Sequence, residues 1–147
     1  MNPTIRYYGW SALSLEAPDG TLFFDPFFRE YCGARWYGLE DFAHANVVCI
    51  THGHEEHYLD TPAVVARSGA EVVGTKAVCD YLAWRSRVPR GRLHPVRPFE
   101  PVEVRGFAIS TFKWQHRDIN LWKALAKALF QGNATQLSWA WSSATNA

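Results

Sequence analysis

The sequence has no long apolar run and little net charge. None of its 147 residues belongs to a stretch approaching the roughly 18 apolar residues that span a bilayer. Residues 1–6 have no apolar core of the kind found in a secretory signal. A net charge of +1 argues against a general binder of nucleic acids, which needs many unbalanced cations. We therefore expect no transmembrane segment and no nucleic-acid partner.

Cysteine is also scarce. The three cysteines, Cys32, Cys49 and Cys79, are scattered and odd in number, so a disulfide framework is not indicated. They predict reduced thiols in a cytoplasmic protein. Cys49 lies in the apolar run 47–50, and we expect it in the core rather than among metal ligands.

Aromatic residues, in contrast, are abundant. With 48% hydrophobic residues, the chain can form one compact domain over residues 1–147. Seven Trp, six Tyr and nine Phe exceed the needs of a small core, which indicates that some line a pocket or meet a partner. The segment 26–45 is dense in aromatics; it is either a loop packed over the core or a pocket wall.

A cluster of histidines follows the apolar run 47–50. His52 and His54 are two residues apart, so in an extended backbone they share a face, and Gly53 lets the chain bend between them. A turn starting beyond them would bring Glu56 and His57 to the other side, where a second ion could lie about 3.5–4 Å from the first. The spacing predicts a two-metal site; the alternative is a surface cluster of hydrogen-bonded histidines.

The segment from His52 to His57 resembles the His-x-His-x-Asp-His motif of the metallo-β-lactamase superfamily, with Glu56 where the family has Asp. Residues 5–16, the turn dipeptide Asp19-Gly20 and residues 22–27 are similar to the first hairpin of its lactonase-like members. The resemblance covers residues 4 to 118. It implies an α/β fold of the αββα sandwich type.

The resemblance also implies roles for individual residues. His116 would join His52 and His54 around a first ion with one position open for water, while Glu56 and His57 would contact a second. Asp25 and Glu56 are the catalytic candidates: Asp25 would orient the metal loop, and Glu56 could accept a proton. The expected cofactor is zinc, as one or two ions, with manganese or iron as alternatives.

The pattern breaks after Asp118. Residues 119–147 contain no His, Asp or Glu, whereas the superfamily places a bridging Asp and a last His there. We therefore expect an incomplete second metal site and only the amino-terminal αβ half of the sandwich, in a domain truncated at its carboxyl end. Glu56 also adds a methylene to the family's Asp, which alters the second site.

The function that the resemblance implies is hydrolysis of a small-molecule lactone, ester or phosphodiester by metal-activated water. The alternative is a catalytically silent metal-binding or partner-binding fragment of such an enzyme. For this chain alone we expect little activity, and an exposed apolar face that leads to self-association or a homo-oligomer.

The coarse pattern alternates strands and helices. Arginines crowd residues 85–97, which form either a solvated loop or an anion clamp. Residues 119–130 are amphipathic and follow Asp118, a candidate N-cap; they would pack on the core or act as a lid. The predicted strands cover 5–16, 21–25, 46–51, 71–74, 102–104 and 107–112, with helices from 60 to 69 and from 76 to 87.

Overall fold

A computed structural model describes residues 2–29 and 37–113. Its main feature is a six-stranded mixed sheet whose strands lie in chain order. The first three strands pair antiparallel with one another. From the third strand to the sixth, neighbouring strands are parallel, so the third strand belongs to both sets. The strands are β1 (Thr4–Gly9), β2 (Ala12–Ala17), β3 (Gly20–Phe24), β4 (Val47–Cys49), β5 (Glu71–Thr75) and β6 (Leu93–Val96).

Helices connect the parallel strands, and a separate hairpin follows the sheet. This arrangement confirms the predicted α/β class. The helices are α1 (Glu55–Tyr58), α2 (Thr61–Ser68) and α3 (Lys76–Arg85), with 3₁₀ turns at Leu39–Phe42 and Arg90–Arg92. The hairpin consists of β7 (Val102–Val104) and β8 (Phe107–Ile109).

The two faces of the sheet bury different clusters because side chains alternate along each strand. Val48 and Val72 pack with Val64, Val78 and Leu82 in the helix-covered cluster. The other face buries a smaller cluster with the β7–β8 hairpin: Leu22, Val47, Cys49, Val73 and Val104. Among the described residues, no helix is long and apolar enough to cross a membrane.

The predicted strand at 5–16 is wrong in one respect, since the structure divides it into β1 and β2. Gly9 and Trp10 adopt φ of 106° and 52°, and Gly9 pairs with Ala12 across the tight turn. The left-handed conformation is energetically unfavourable for tryptophan. The composition of residues 5–16 therefore favoured a continuous strand. The predicted hairpin between β2 and β3 is confirmed, with Ala17 paired to Gly20.

The prediction that residues 85–97 lack regular structure is also wrong, because this segment contains β6. The crowded arginines favoured a solvated loop, and Pro95 cannot donate to a ladder. However, β6 lies at the edge of the sheet, where proline is tolerated. His94 on β6 is half-buried, and its Nε2 atom lies 2.9 Å from Glu71.

Both described cysteines are buried thiols. Burial raises the pKa of Cys49 to about 12, with a smaller contribution from nearby Asp25, and raises that of Cys79 to about 11. Both pKa values exceed the ordinary 9.0. The neutral thiols therefore stabilise the fold below about pH 9, and this contribution is lost as pH rises towards these values.

We predict that alkylation at about pH 8 is slower in the native chain than in denaturant. From ionisation alone, the difference is roughly a thousand-fold at Cys49 and a hundred-fold at Cys79. Timed iodoacetamide labelling followed by peptide mass spectrometry measures each site, with the denatured chain as the control. Native labelling of Cys49 at the denatured rate would contradict the buried placement.

Candidate metal centre

The candidate site lies at the carboxyl ends of β3 and β4. These strands are parallel, with Phe24 opposite Cys49, so the residues that follow them emerge at the same edge of the sheet. The Asp25 amide donates to the Cys49 carbonyl oxygen at 3.0 Å and extends the ladder by one bond. The topology thus places Asp25 against the loop that starts at Thr51.

Asp25 is a buried carboxylate whose oxygens are hydrogen-bonded. Its residue is 2% exposed. The Thr51 amide donates to Oδ1 at 2.8 Å, and the Thr51 hydroxyl donates to Oδ2 at 2.6 Å. Nδ1 of His57 also lies 2.8 Å from Oδ2. These bonds compensate the cost of burying the charge and fix the position of the loop.

The directions of these hydrogen bonds determine which histidine nitrogens carry protons. A carboxylate only accepts, so Nδ1 of His57 is the donor to Asp25. The Thr51 hydroxyl gives its proton to Asp25, so its oxygen accepts from Nδ1 of His52 at 3.0 Å. Both imidazoles therefore carry their proton on Nδ1 and keep the Nε2 lone pair that metal ligation requires.

Three imidazoles converge beside this network. His52, His54 and His57 each offer one nitrogen, and these atoms all lie within 4.8 Å of one another. Nε2 of His52 lies 3.0 Å from Nδ1 of His54. Nitrogens around a tetrahedral zinc ion with bonds of about 2.0–2.1 Å are roughly 3.4 Å apart. The three side chains therefore fit a metal ion with small adjustments.

The one-turn helix α1 brings His57 back to this cluster. His54 is its extended N-cap residue, with φ −80° and ψ 145°, and the His57 amide donates to the His54 carbonyl oxygen at 3.0 Å. The turn also buries Glu56, whose Oε1 lies 3.9 Å from Nδ1 of His54. A carboxylate and three imidazoles thus occupy one side of the loop.

The structure brings together five of the six predicted site residues: Asp25, His52, His54, Glu56 and His57. It groups His57 with the first two histidines, whereas the sequence assigned His57 to a second ion; that division stays a prediction. His116 lies outside the described residues, as do Asp118 and the segment 119–130.

Sequence reasoning missed two hydroxyl residues at the site. Thr51 directly precedes the histidines, so its position was a usable signal. Ser11 is 46 residues from His57 in the chain, and its Oγ lies 3.1 Å from Nδ1 of that ring. No local pattern marks this contact, because it depends on how the β1–β2 turn meets α1.

A cavity of about 430 Å³ lies next to the site. Its wall includes Thr51, which also contacts Asp25, so the cavity borders the metal loop. Much of the remaining wall is apolar, with Phe24, Ile50 and Val73. Such a space can accept the apolar part of a small molecule.

The arginine-rich segment 85–97 and the aromatic segment 26–45 make contacts within the fold. Arg90 pairs with Asp80 at 3.4 Å, Arg92 donates to the Gly69 carbonyl oxygen and Arg97 pairs with Glu100 at 3.8 Å. In the aromatic segment, two phenylalanines are fully buried and two further aromatics pack on the helix-covered cluster. These four are Phe27, Phe42, Phe28 and Tyr37.

Comparison with known proteins identifies the family. Residues 4–142 match the sequence model of a family described as a beta-lactamase superfamily domain. The chain belongs to this superfamily. Its fold agrees with a metallo hydrolase from Ignicoccus hospitalis, with a TM-score of 0.60 at 20% identity over 80% of this chain and 51% of that one. The expected relationship and fold are thereby confirmed.

Curated relatives carry the name UPF0173 metal-dependent hydrolase. The Anoxybacillus flavithermus protein is 30% identical over 63% of this chain and 38% of its own length. The protein from Mesorhizobium japonicum is 28% identical over 76% of this chain and 47% of its own length. The chain thus spans less than half the length of these curated relatives.

Proposed function

We propose that this chain belongs to a metal-dependent hydrolase that acts on a small-molecule lactone, ester or phosphodiester. The observation that carries the proposal is the convergence of His52, His54 and His57 within 4.8 Å. The names of the relatives support the same activity. The superfamily membership supports it as well.

The residues that would hold the metal are those of the histidine loop. In the two-ion arrangement, His52 and His54 would bind the first ion with His116, while Glu56 and His57 would bind the second. The three clustered imidazoles could also hold one ion by themselves. When bound, a zinc-class divalent ion would acidify water for attack on the substrate; manganese or iron are alternatives.

The protein groups have distinct tasks in this proposal. Asp25 keeps Nδ1 of His57 protonated, and Thr51 keeps Nδ1 of His52 protonated, so that Nε2 of each ring stays available as a ligand. Glu56, whose Oε1 lies 3.9 Å from Nδ1 of His54, would accept a proton from the attacking water. The adjoining cavity would receive the apolar part of a lactone or ester substrate.

The rival function is a metal-binding or partner-binding module without turnover. It is favoured by the absence of His, Asp and Glu after Asp118, since the family uses carboxylate and histidine ligands from that region. Each function predicts metal binding by the histidine loop. They differ in whether bound metal leads to hydrolysis.

A turnover assay with added zinc or manganese separates the two functions. We predict slow, chelator-sensitive hydrolysis of at least one of three substrates: a chromogenic lactone, a nitrophenyl ester and a phosphodiester. The rate should fall to that of buffer in His54→Ala. His94→Ala is a matched control, because His94 contacts Glu71 rather than the cluster. Metal binding without turnover on any substrate would favour the rival.

The proposal also includes a cytoplasmic location and self-association of the chain. The free thiols of Cys49 and Cys79 agree with a cytoplasmic location. Self-association would use the edge strand β1, where Ile5 and Tyr7 are 72% and 63% exposed. Sedimentation velocity over a range of protein concentrations tests this association.

A further inference from the structure

Ser11 contacts the site from a different part of the sheet than the histidine loop. Its Oγ lies 3.1 Å from Nδ1 of His57, and the same nitrogen lies 2.8 Å from Oδ2 of Asp25. One ring nitrogen thus has two oxygen neighbours. One comes from the β1–β2 turn and the other from the end of β3.

The chemistry of these groups defines the role of the serine. The Asp25 carboxylate can only accept, so Nδ1 of His57 carries the proton. The Ser11 oxygen is then a second acceptor for a shared N–H, a three-centre hydrogen bond. A ring whose N–H is shared by two acceptors has less freedom to tilt than a ring held by one. Nε2 is left directed away from both.

The backbone beside both acceptors is strained. Trp10, just before Ser11, has φ 52°, and Asp25 has φ 43°; both are left-handed values that side chains with a Cβ rarely adopt. The Tyr7 hydroxyl donates to the Trp10 carbonyl oxygen at 2.7 Å and secures the turn. Strain that surrounding contacts maintain is common where geometry serves a function.

We infer that Ser11 is a positioning residue for His57: together with Asp25 it holds the ring as the Nδ1-protonated tautomer and thereby presents Nε2 to a metal ion. The inference rests on the proposed metal site for its purpose. It concerns the ring geometry of the metal-free chain, which can be measured on its own. Ser11 itself is not a ligand in this assignment.

The direct test is long-range ¹H–¹⁵N correlation of the imidazoles in metal-free protein at about pH 8, above the usual histidine range. Wild type should show His57 mainly protonated at Nδ1. Ser11→Ala should raise the Nε2-protonated population several-fold, and Ser11→Thr should restore the wild-type pattern. Ser68→Ala is the matched control, because the hydrogen bonds of its hydroxyl within the described residues are to Val64 and Ala70.

The second measurement is zinc affinity by competition with a chromophoric chelator. Ser11→Ala should weaken binding about tenfold, at the lower end of the range for residues that orient a ligand. Ser11→Thr should return it to within about threefold of wild type, and Ser68→Ala should not change it. If Ser11→Ala does not fold, the isosteric pair Ser11→Thr and Ser11→Val gives the same comparison.

The outcomes separate this inference from the proposed function. A wild-type chain that binds no metal and hydrolyses nothing defeats the proposed function, yet the tautomer measurement still decides the role of Ser11. A wild-type His57 protonated at Nε2 overturns the inference. So does a folded Ser11→Ala chain with unchanged tautomer population and zinc affinity.

Discussion

Replacing both His52 and His54 with alanine is expected to abolish metal binding. Two of the three clustered imidazoles are removed, and the remaining ring offers a single nitrogen. We expect the affinity for zinc to fall by at least three orders of magnitude, about 4 kcal/mol. Bound metal should drop from about one equivalent to the level of a metal-free control.

Elemental analysis of protein purified without an affinity tag measures this loss. His94→Ala is a suitable comparison, since it removes an imidazole that pairs with Glu71 outside the cluster. Melting of the metal-free double variant should stay close to wild type, because neither histidine is fully buried. Unchanged metal content in the folded double variant would rule out this loop as the metal site.

The sequence predicted the position of the loop because the chemistry of the site is local. His52, His54 and His57 lie within six residues, and the strand that precedes them was evident from its apolar run. The parallel pairing of β3 with β4 then brings Asp25 to the same edge. This long-range contact was expected from the family resemblance rather than from residue spacing.

Tertiary contacts explain what could not be predicted. The sequence could not place Ser11, because the turn that presents it requires a left-handed Trp10, which local preference disfavours. Asp60 shows a similar effect. It is the N-cap residue of α2 but makes no side-chain capping bond; its carboxylate instead accepts from the Phe28 amide at 3.1 Å and the Arg29 side chain at 2.8 Å.

Long-range pairing also determined which segments became strands. β6 forms because Val72 and Val73 on β5 provide a partner for Leu93 and His94, although the surrounding arginines favoured a solvated loop. In contrast, α2 has local determinants at both ends: proline in its first turn and Gly69 in the left-handed conformation, with φ 75°, at its end. Elements with such local determinants were the easier ones to predict.

Replacing Asp25 is expected to affect both the stability of the fold and the metal site. Asp25→Ala would remove an acceptor from three donors: the Thr51 amide, the Thr51 hydroxyl and Nδ1 of His57, which would keep the Ser11 oxygen. Each donor that loses its partner away from water costs about 1–3 kcal/mol. We therefore expect a large fall in the free energy of unfolding, measured by denaturant titration.

Asp25→Asn keeps the volume of the side chain but removes its charge and replaces one accepting oxygen with a donating NH₂ group. If the amide oxygen accepts from the Thr51 backbone, its NH₂ group faces the Thr51 hydroxyl and Nδ1 of His57, where an acceptor is needed. The ring then gains by moving its proton to Nε2, which removes the lone pair that would bind metal. We expect zinc affinity to fall roughly 10–100-fold, with a smaller loss of stability than in Asp25→Ala.

Asp60→Asn is the matched control, because Asp60 is equally a buried aspartate, 4% exposed, whose described contacts are with Phe28 and Arg29 rather than an imidazole. It should lower stability while zinc affinity stays within about twofold of wild type. Equal losses of affinity in the two Asn variants would mean that general destabilisation, rather than the proton on His57, controls the site. Wild-type zinc affinity in Asp25→Asn would show that the Asp25 network does not set the tautomer of His57.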